Sequence, residues 1–530
     1  MNRILNRANK RVSLGGAAAL LIGVALAGQL LGFLRNRLIS ANFTQLDPGS
    51  TDAFFAAFQI PDFFFYTIAA GALGVAFMPF LSDHLERGDR RGVWELVTSL
   101  LNMLAIVMAI VAAIIFVFAE PLIRHIVAPK LEGEHLRQAV LIMRLVALNP
   151  LLFTLSGVLT SVQQTFGRFF FYALAPLFYN LSIIISVYVF KYNIGIIGLG
   201  IGALIGAFIQ LVIACMGLYG LHFRWRPKIM WRSRDFHQIL HQLPPRSVDQ
   251  GIDQINSIVE TNRAAHLGVG AISSYNYALT LMNVPVALFG NSIATAAFPR
   301  LTARLSQNRS DLFRKEFLGI LRSMIWITMP VLVVCFFCRA YLARLLFSSV
   351  APQVSLIFGY LTVAIFFRII YSIISRWFYA QKDTKTPLFV SVFAIAFNIF
   401  LAFNLARPSA YGVAGLAMAQ SLVAMSEVAI LLIIMLIRDH RLLNTVFWNG
   451  VGRILSVTGF SVVAASIMIS LFPLKIADTG IVTLGTKLGS IALITILVHI
   501  GVSSLFGLEE VQPIIQKAKQ FILRPVNVDV

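Results

Sequence analysis

The sequence predicts an all-α, polytopic membrane protein of about fourteen transmembrane helices, built as two parallel six-helix repeats with two appended helices. Three observations carry this. The mean hydropathy is +0.81, with 58% hydrophobic and only 12% charged residues, a balance that soluble domains do not reach. Apolar stretches of roughly 20 residues, the length that crosses the hydrocarbon core, recur from one end of the chain to the other. The two halves also echo each other at an offset of 217–220 residues.

The expected spans lie near 14–36, 53–80, 95–119, 138–164, 169–190, 195–221, 246–268, 272–298, 318–338, 354–380, 386–406, 411–437, 451–473 and 482–506. The first follows Arg3, Arg7, Lys10 and Arg11 and contains Ala25-Leu26-Ala27, which resembles a signal-peptide cleavage site. Its apolarity runs on to Phe33, past the usual signal core, so it reads as a retained helix. Arg35 and Arg37 close it. Spaced two apart, they point in different directions, so at most one faces the cavity, and snorkelling to the headgroups is the common alternative. The second span opens with Asp52 and carries Asp62 after Pro61. Asp52 has two readings: a cargo-facing carboxylate, or a helix N-terminal residue following Ser50 and Thr51. In the sixth span Gly198, Gly202 and Gly206, four apart, read as close helix packing.

The seventh span is the unusual one. Arg246, Asp249, Asp253, Asn256, Glu260 and Arg263 follow at spacings of 3, 4, 3, 4 and 3, which places all six on one helix face. Each charge at mid-bilayer costs roughly 2.5–3.5 kcal/mol on insertion scales, so this face meets water, protein or cargo rather than lipid. The stripe reads as a cavity wall, with internal ion pairing as the plainer alternative. Neighbouring Asp249 and Asp253 repel, so one takes a proton or attracts a cation such as Na⁺. Arg144, Arg368, Arg376 and Glu427 are isolated charges in or near spans, expected to face the bundle interior. Cys335 and Cys338 form a C-x-x-C inside an apolar helix and read as packing residues, against redox or metal chemistry.

Three matches define the repeat. Gly71–Ser82 aligns with Gly290–Thr302, Gln164–Asn180 with Gln381–Asn398, and Gly195–Leu199 with Gly412–Leu416. An even number of helices per copy makes the repeats parallel. The resulting boundaries are an N-lobe at 1–221, a basic amphipathic cytoplasmic linker at 222–245 with Trp225 and Trp231, a C-lobe at 246–440, the last two helices at 441–507, and a cytoplasmic tail at 508–530.

The net charge of +20 does not indicate nucleic acid. With a cytoplasmic N-terminus, alternate loops collect roughly 27 Lys/Arg inside and about 8 outside, so the excess is a topology signal and an attraction to anionic lipids, with both termini cytoplasmic. The sequence has no P-loop, no metal-ligand cluster and no G-x-S-x-G elbow, and no extramembrane segment longer than roughly 25 residues. This argues against an enzyme domain or ATP-driven pump and leaves a transporter without a cofactor, powered by membrane potential, by an H⁺ or Na⁺ gradient or by the cargo gradient.

Leu31-Gly32-Phe33-Leu34-Arg35 and Thr51-Asp52-Ala53-Phe54-Phe55-Ala56-Ala57-Phe58-Gln59-Ile60-Pro61 resemble the MurJ/MviN proteins, bacterial lipid II flippases of the multidrug/oligosaccharidyl-lipid/polysaccharide exporter superfamily. So do Ala76–Ser82, Gly167-Arg168-Phe169, Ala175-Pro176-Leu177-Phe178-Tyr179-Asn180, Gln254-Ile255-Asn256 and, most closely, Phe378–Pro387. The resemblance covers nearly the whole chain. It implies an inner-membrane flippase that carries lipid II, or a related undecaprenyl-pyrophosphate-linked cargo, by alternating access, alongside cell-wall synthesis and division machinery. Cargo binding would then fall to Arg35 and Asp52, with Arg246 and Arg263 in support. Ion coupling would fall to Asp249, Asp253, Glu260 and Asn398, with Na⁺ at Asp253, Glu260 and Asn398. The chain departs from the family at Gln29, Phe65, Tyr66, Ala70, Thr280 and Asn283, where arginines or acids are usual. The alternatives are export of another polyprenyl-linked glycan or a cationic drug, and a non-transporting scaffold of cell-wall assembly.

Overall fold

The structure, a computed structural model, describes residues 14–70, 77–223, 225–231, 233–440, 442–478, 480–513 and 515–516, with backbone alone at 14–19, 21–22, 69–70 and 242–250. Arg3, Arg7, Lys10, Arg11, Arg224 and Arg232, residues 71–76 of the repeat, and residues 514 and 517–530 of the tail lie outside it.

The described residues form helices and no strand. In chain order these are α1 (Leu14–Ile39), α2 (Pro48–Phe64), α3 (Met78–Glu86), α4 (Arg90–Val117), α5 (Gly133–Val146), α6 (Asn149–Thr165), α7 (Phe170–Phe190), α8 (Ile197–Met216) and α9 (Arg234–Ala265). They continue as α10 (Ala271–Pro285), α11 (Ser292–Ser306), α12 (Ser310–Phe337), α13 (Arg339–Leu346), α14 (Ala351–Ala380), α15 (Lys385–Leu405), α16 (Ala414–Arg438), α17 (Thr445–Leu471) and α18 (Ile481–Leu505). Eleven described helical stretches are long and apolar enough to cross a membrane. The helices α1, α2 and α9 stand where the remaining expected spans fall. Together they give a multi-pass membrane protein.

The backbone repeats its irregularities. A π-helical segment follows the second span at Phe65–Ala70 and recurs in the eighth at Val286–Asn291. Each comes shortly after an in-helix proline, Pro61 and Pro285, which lacks the N–H that the regular ladder needs. Left-handed residues recur too: Gly88 with Asn308, Gly167 with Lys382, and Gly195 with Gly412. Glycine and asparagine tolerate that conformation best, and its recurrence between successive helices marks two copies of one chain path.

By contact the chain forms two compact units. Met1–Asn276 joins Ala406–Ser409, and Tyr277–Leu405 joins Ala410–Val530. The first has a core of Val97, Leu100, Leu104 and Met108 on α4, Val158 and Val162 on α6, Ala214 on α8 and Phe236 on α9. There α7 and α8 approach through glycine: Ser182 Oγ donates to the Gly202 carbonyl at 2.8 Å, and a Cβ at Gly202 would stand 2.3 Å from Ser186 Oγ. A Cβ at Gly198 would stand 2.2 Å from Phe190, and one at Gly206 would press on Ser182 and Tyr179 at 3.0 Å, so the glycine stripe is a packing device. In the second unit Cys338 packs with Tyr341 and Ile491, and Cys335 is also a buried free thiol, which matches the packing reading of the C-x-x-C.

The seventh span differs from its expected 246–268 limits. The helix begins at Arg234, with the Ser233 hydroxyl accepting from the Phe236 N–H and Asp235 in the first turn. The helix runs through Pro244 and Pro245. Before it, the non-helical segment around 225–230 is pinned to α4. Asn102 Nδ2 donates to the Arg226 and Lys228 carbonyls at 2.7 and 3.1 Å, and Trp225 Nε1 donates to Asn102 Oδ1 at 2.8 Å. Although the sequence pattern opens the second repeat with α9, its contacts place it in the first unit.

Candidate functional site

The first unit gathers an intramembrane polar cluster around Arg35. Its Nη1 donates to Asn180 Oδ1 at 3.0 Å and its Nε to Asn36 Oδ1 at 3.2 Å. Asp62 lies within electrostatic reach of Arg35, and the Tyr66 and Tyr179 hydroxyls lie within reach of Asp62. Three local facts build this arrangement. Arg35 sits near the end of α1; Tyr179 and Asn180 are adjacent on α7; Asp62 follows Pro61, where α2 turns toward its π segment. A run of edge-on aromatic contacts closes the cluster: Tyr66 on Phe65, Phe65 on Phe153, and Phe153 on Tyr179, at centroid distances of 5.2, 5.6 and 5.1 Å. Phe65 and Tyr66 are departures from the family pattern, so this chain places an aromatic wall where paired arginines are usual. A cavity of about 390 Å³ opens between α1 and α7, lined by Gln29, Tyr172, Pro176 and Asn180 among others. Asn180 therefore joins the cavity to Arg35.

Asp52 takes a different place. It is 2% exposed, and its two oxygens accept from the Gly270 N–H at 2.6 Å and the Ser273 N–H at 2.7 Å. These amides open α10 and have no partner within their own helix. Asp52 thus caps a helix 218 residues away. The N-terminal alternative is therefore right in kind but names the wrong helix: Asp47 caps α2, accepting from Gly49 N–H at 3.1 Å. With both oxygens held by backbone, Asp52 positions the start of α10.

On α9 the side chains of Arg246 and Asp249 lie outside the described residues. Asp253 is exposed. Glu260 is 5% exposed and accepts from Asn256 Nδ2 at 3.1 Å and from the Tyr275 hydroxyl at 3.0 Å. Arg263 Nη2 donates to the Ala406 carbonyl at 3.1 Å. Ser257 donates to Gln59 on α2 at 3.0 Å. The stripe therefore includes one buried carboxylate held by donors within its own unit. Asn398 is buried on α15 of the second unit. Among the described residues no three His, Cys, Asp or Glu side chains form a metal-ligand group.

Sequence reading left Glu427 and Arg368 without a role. In the second unit Glu427 is buried and accepts from Ser391 Oγ at 3.0 Å, and Tyr371 Oη and Ser391 Oγ are 3.1 Å apart. Arg368 donates to Gln420 at 2.6 Å. The signal for Glu427 was its charge within an apolar run; its partners come from other helices and leave no local pattern.

These features define a helical membrane transporter: paired repeats, broken spans, and a charged cluster inside the bundle. Solved structures share the fold. The lipid II flippase MurJ in an inward closed conformation matches at TM-score 0.74 with 24% identity over 92% of this chain and 98% of that one. An inward-facing multidrug resistance MATE family transporter of the MOP superfamily matches at TM-score 0.67 with 15% identity over 81% and 99%. The family model described as "Lipid II flippase MurJ" matches residues 49–488, and the chain belongs to that family. Among its relatives are the probable lipid II flippase MurJ of Borreliella burgdorferi, 24% identical over 78% of this chain and 82% of that protein, and the lipid II flippase MurJ of Burkholderia cenocepacia, 26% identical over 70% and 74%.

Proposed function

We propose that this protein flips lipid II from the cytoplasmic to the outer leaflet of a bacterial inner membrane. The supporting observation is Arg35, fixed inside the bundle by Asn180 on an expected family motif. A guanidinium presents five donors in a planar fork that suits phosphate, and such bonds are charge-assisted. The cargo's pyrophosphate and sugars cannot cross hydrocarbon unaided, so the head travels in a polar site while the prenyl tail stays in lipid.

In this reading the head binds at Arg35, with the Tyr66 and Tyr179 hydroxyls and the 390 Å³ cavity beside it, and Arg263 and Arg246 supply further positive charge on α9. Moving an anion outward from a negative interior is favourable by about 2.3 kcal/mol per charge per 100 mV. Alternating access returns the empty carrier. Proton binding at the carboxylates of α9, Glu260 first, resets it. Both termini are cytoplasmic, as the loop charges favour. The test is depletion of the host's own flippase in cells carrying this gene: sustained outer-leaflet lipid II supports the proposal, and failure of a correctly inserted protein to sustain it contradicts the proposal.

A further inference from the structure

A second polar site lies in the first unit, away from Arg35. A cavity of about 260 Å³ is lined by Arg91, Trp94, Glu95, Thr98 and Ser99 on α4 and by His222, Arg226, Lys228 and Met230 on the segment pinned to it. Its rim holds three permanent cations against one carboxylate, and Glu95 is tied to Arg91 at 2.9 Å. The frame is built. Met230 N–H donates to Ser99 Oγ at 3.1 Å, and Asn102 binds the Arg226 and Lys228 carbonyls, so the cations project from a backbone held at three points. Trp94 forms the back wall, stacked on Phe166 at 5.7 Å and edge-on to Phe223 at 5.4 Å.

A second observation places this cavity at headgroup depth. It opens where α4 changes from polar to apolar, and α4 is one of the membrane-crossing helices. Trp225 and Trp231, on the same segment, are 57% and 55% exposed. Exposed indoles beside clustered cations mark the membrane–water interface, where the rings meet acyl chains and the cations meet headgroups. The volume suits a phosphate with a short polar substituent rather than an extended glycan.

We propose that this cavity binds the phosphate of an anionic glycerophospholipid headgroup, a lipid site separate from the cargo site. Arg226 and Lys228 ligate the phosphate oxygens, Arg91 adds charge from α4, and the tryptophans seat the lipid's glycerol region.

The test uses the full chain in detergent, with native mass spectrometry of retained phosphatidylglycerol against phosphatidylcholine. The double variant Arg226→Ala/Lys228→Ala removes charge while leaving the carbonyls that Asn102 holds. Two charges near a membrane surface predict a roughly tenfold or greater loss of phosphatidylglycerol retention, with phosphatidylcholine unchanged. Inorganic phosphate in excess is the second arm. If it displaces phosphatidylglycerol from the wild type at low millimolar concentration, the site is a free-phosphate site, and the lipid assignment is overturned. Equal retention by wild type and double variant also overturns it. Unchanged thermal unfolding of the variant shows that the loss is not misfolding; if it unfolds early, Lys228→Gln alone, expected to lose several-fold, decides the matter.

Discussion

Replacing Asp52 with alanine separates two roles that one carboxylate could play. In the structure its oxygens accept from the Gly270 and Ser273 amides at 2.6 and 2.7 Å, and the residue is 2% exposed. Alanine leaves two buried N–H groups without an acceptor, at about 1–3 kcal/mol each. It also removes a negative charge from a helix N-terminus, worth about 0.3–1 kcal/mol. The expected loss is about 2–7 kcal/mol of stability. Asp52→Asn keeps one acceptor oxygen and is expected to lose about half as much. The assay is thermal unfolding in detergent paired with amide hydrogen exchange across residues 268–276. Faster exchange confined to the start of α10, with lower stability, is the predicted outcome. Full stability with unchanged amide protection and lost lipid II binding would refute the capping account and return Asp52 to the cargo site.

Other expectations follow from equally local geometry. Gly202→Val forces a side chain into Ser186 Oγ, which stands 2.3 Å from the first added atom, and is expected to cost about 1–3 kcal/mol in thermal stability. Asp383, in the turn between α14 and α15, is pushed up by burial, but bonds from the Thr386 side chain and amide and from Arg438 outweigh this and hold it at about 2, against an ordinary 3.8. Its contribution, about 2 kcal/mol, is full above pH 3.8 and disappears as pH falls through about 2, so Asp383→Asn should destabilise the protein at pH 7 and differ progressively less in acid unfolding. Glu260→Gln should leave folding intact and abolish the pH dependence of transport; an unaltered pH profile would remove Glu260 from the coupling step.

What the sequence disclosed and what it withheld divide along physical lines. Apolar length is a local property, and it located the helices, including Leu14–Ile39 and Ile481–Leu505, to within a few residues. The glycine stripe was legible because small residues at one spacing have one main use in a membrane helix. The start of α9 was not, because the helix extends back through Pro244-Pro245, and proline lacks the N–H that a helix interior uses. The helix that Asp52 caps was not legible for a different reason: its partners lie 218 and 221 residues away, and no periodicity encodes them. The same holds for Asn180 opposite Arg35, 145 residues apart. The family motif brought both residues to attention, but only the fold joined them. At Phe65 and Tyr66 the sequence showed arginines missing, and the structure shows what stands there instead: an aromatic wall continuous with Tyr179.

The most direct measurement is lipid II translocation by purified protein in liposomes, comparing wild type with Arg35→Ala and Arg35→Lys. The account predicts translocation by the wild type, near-complete loss with alanine, and partial activity with lysine, which keeps the charge but not the fork. Wild-type vesicles that leave labelled lipid II on one leaflet, or an alanine variant that moves it as fast as wild type, would contradict it.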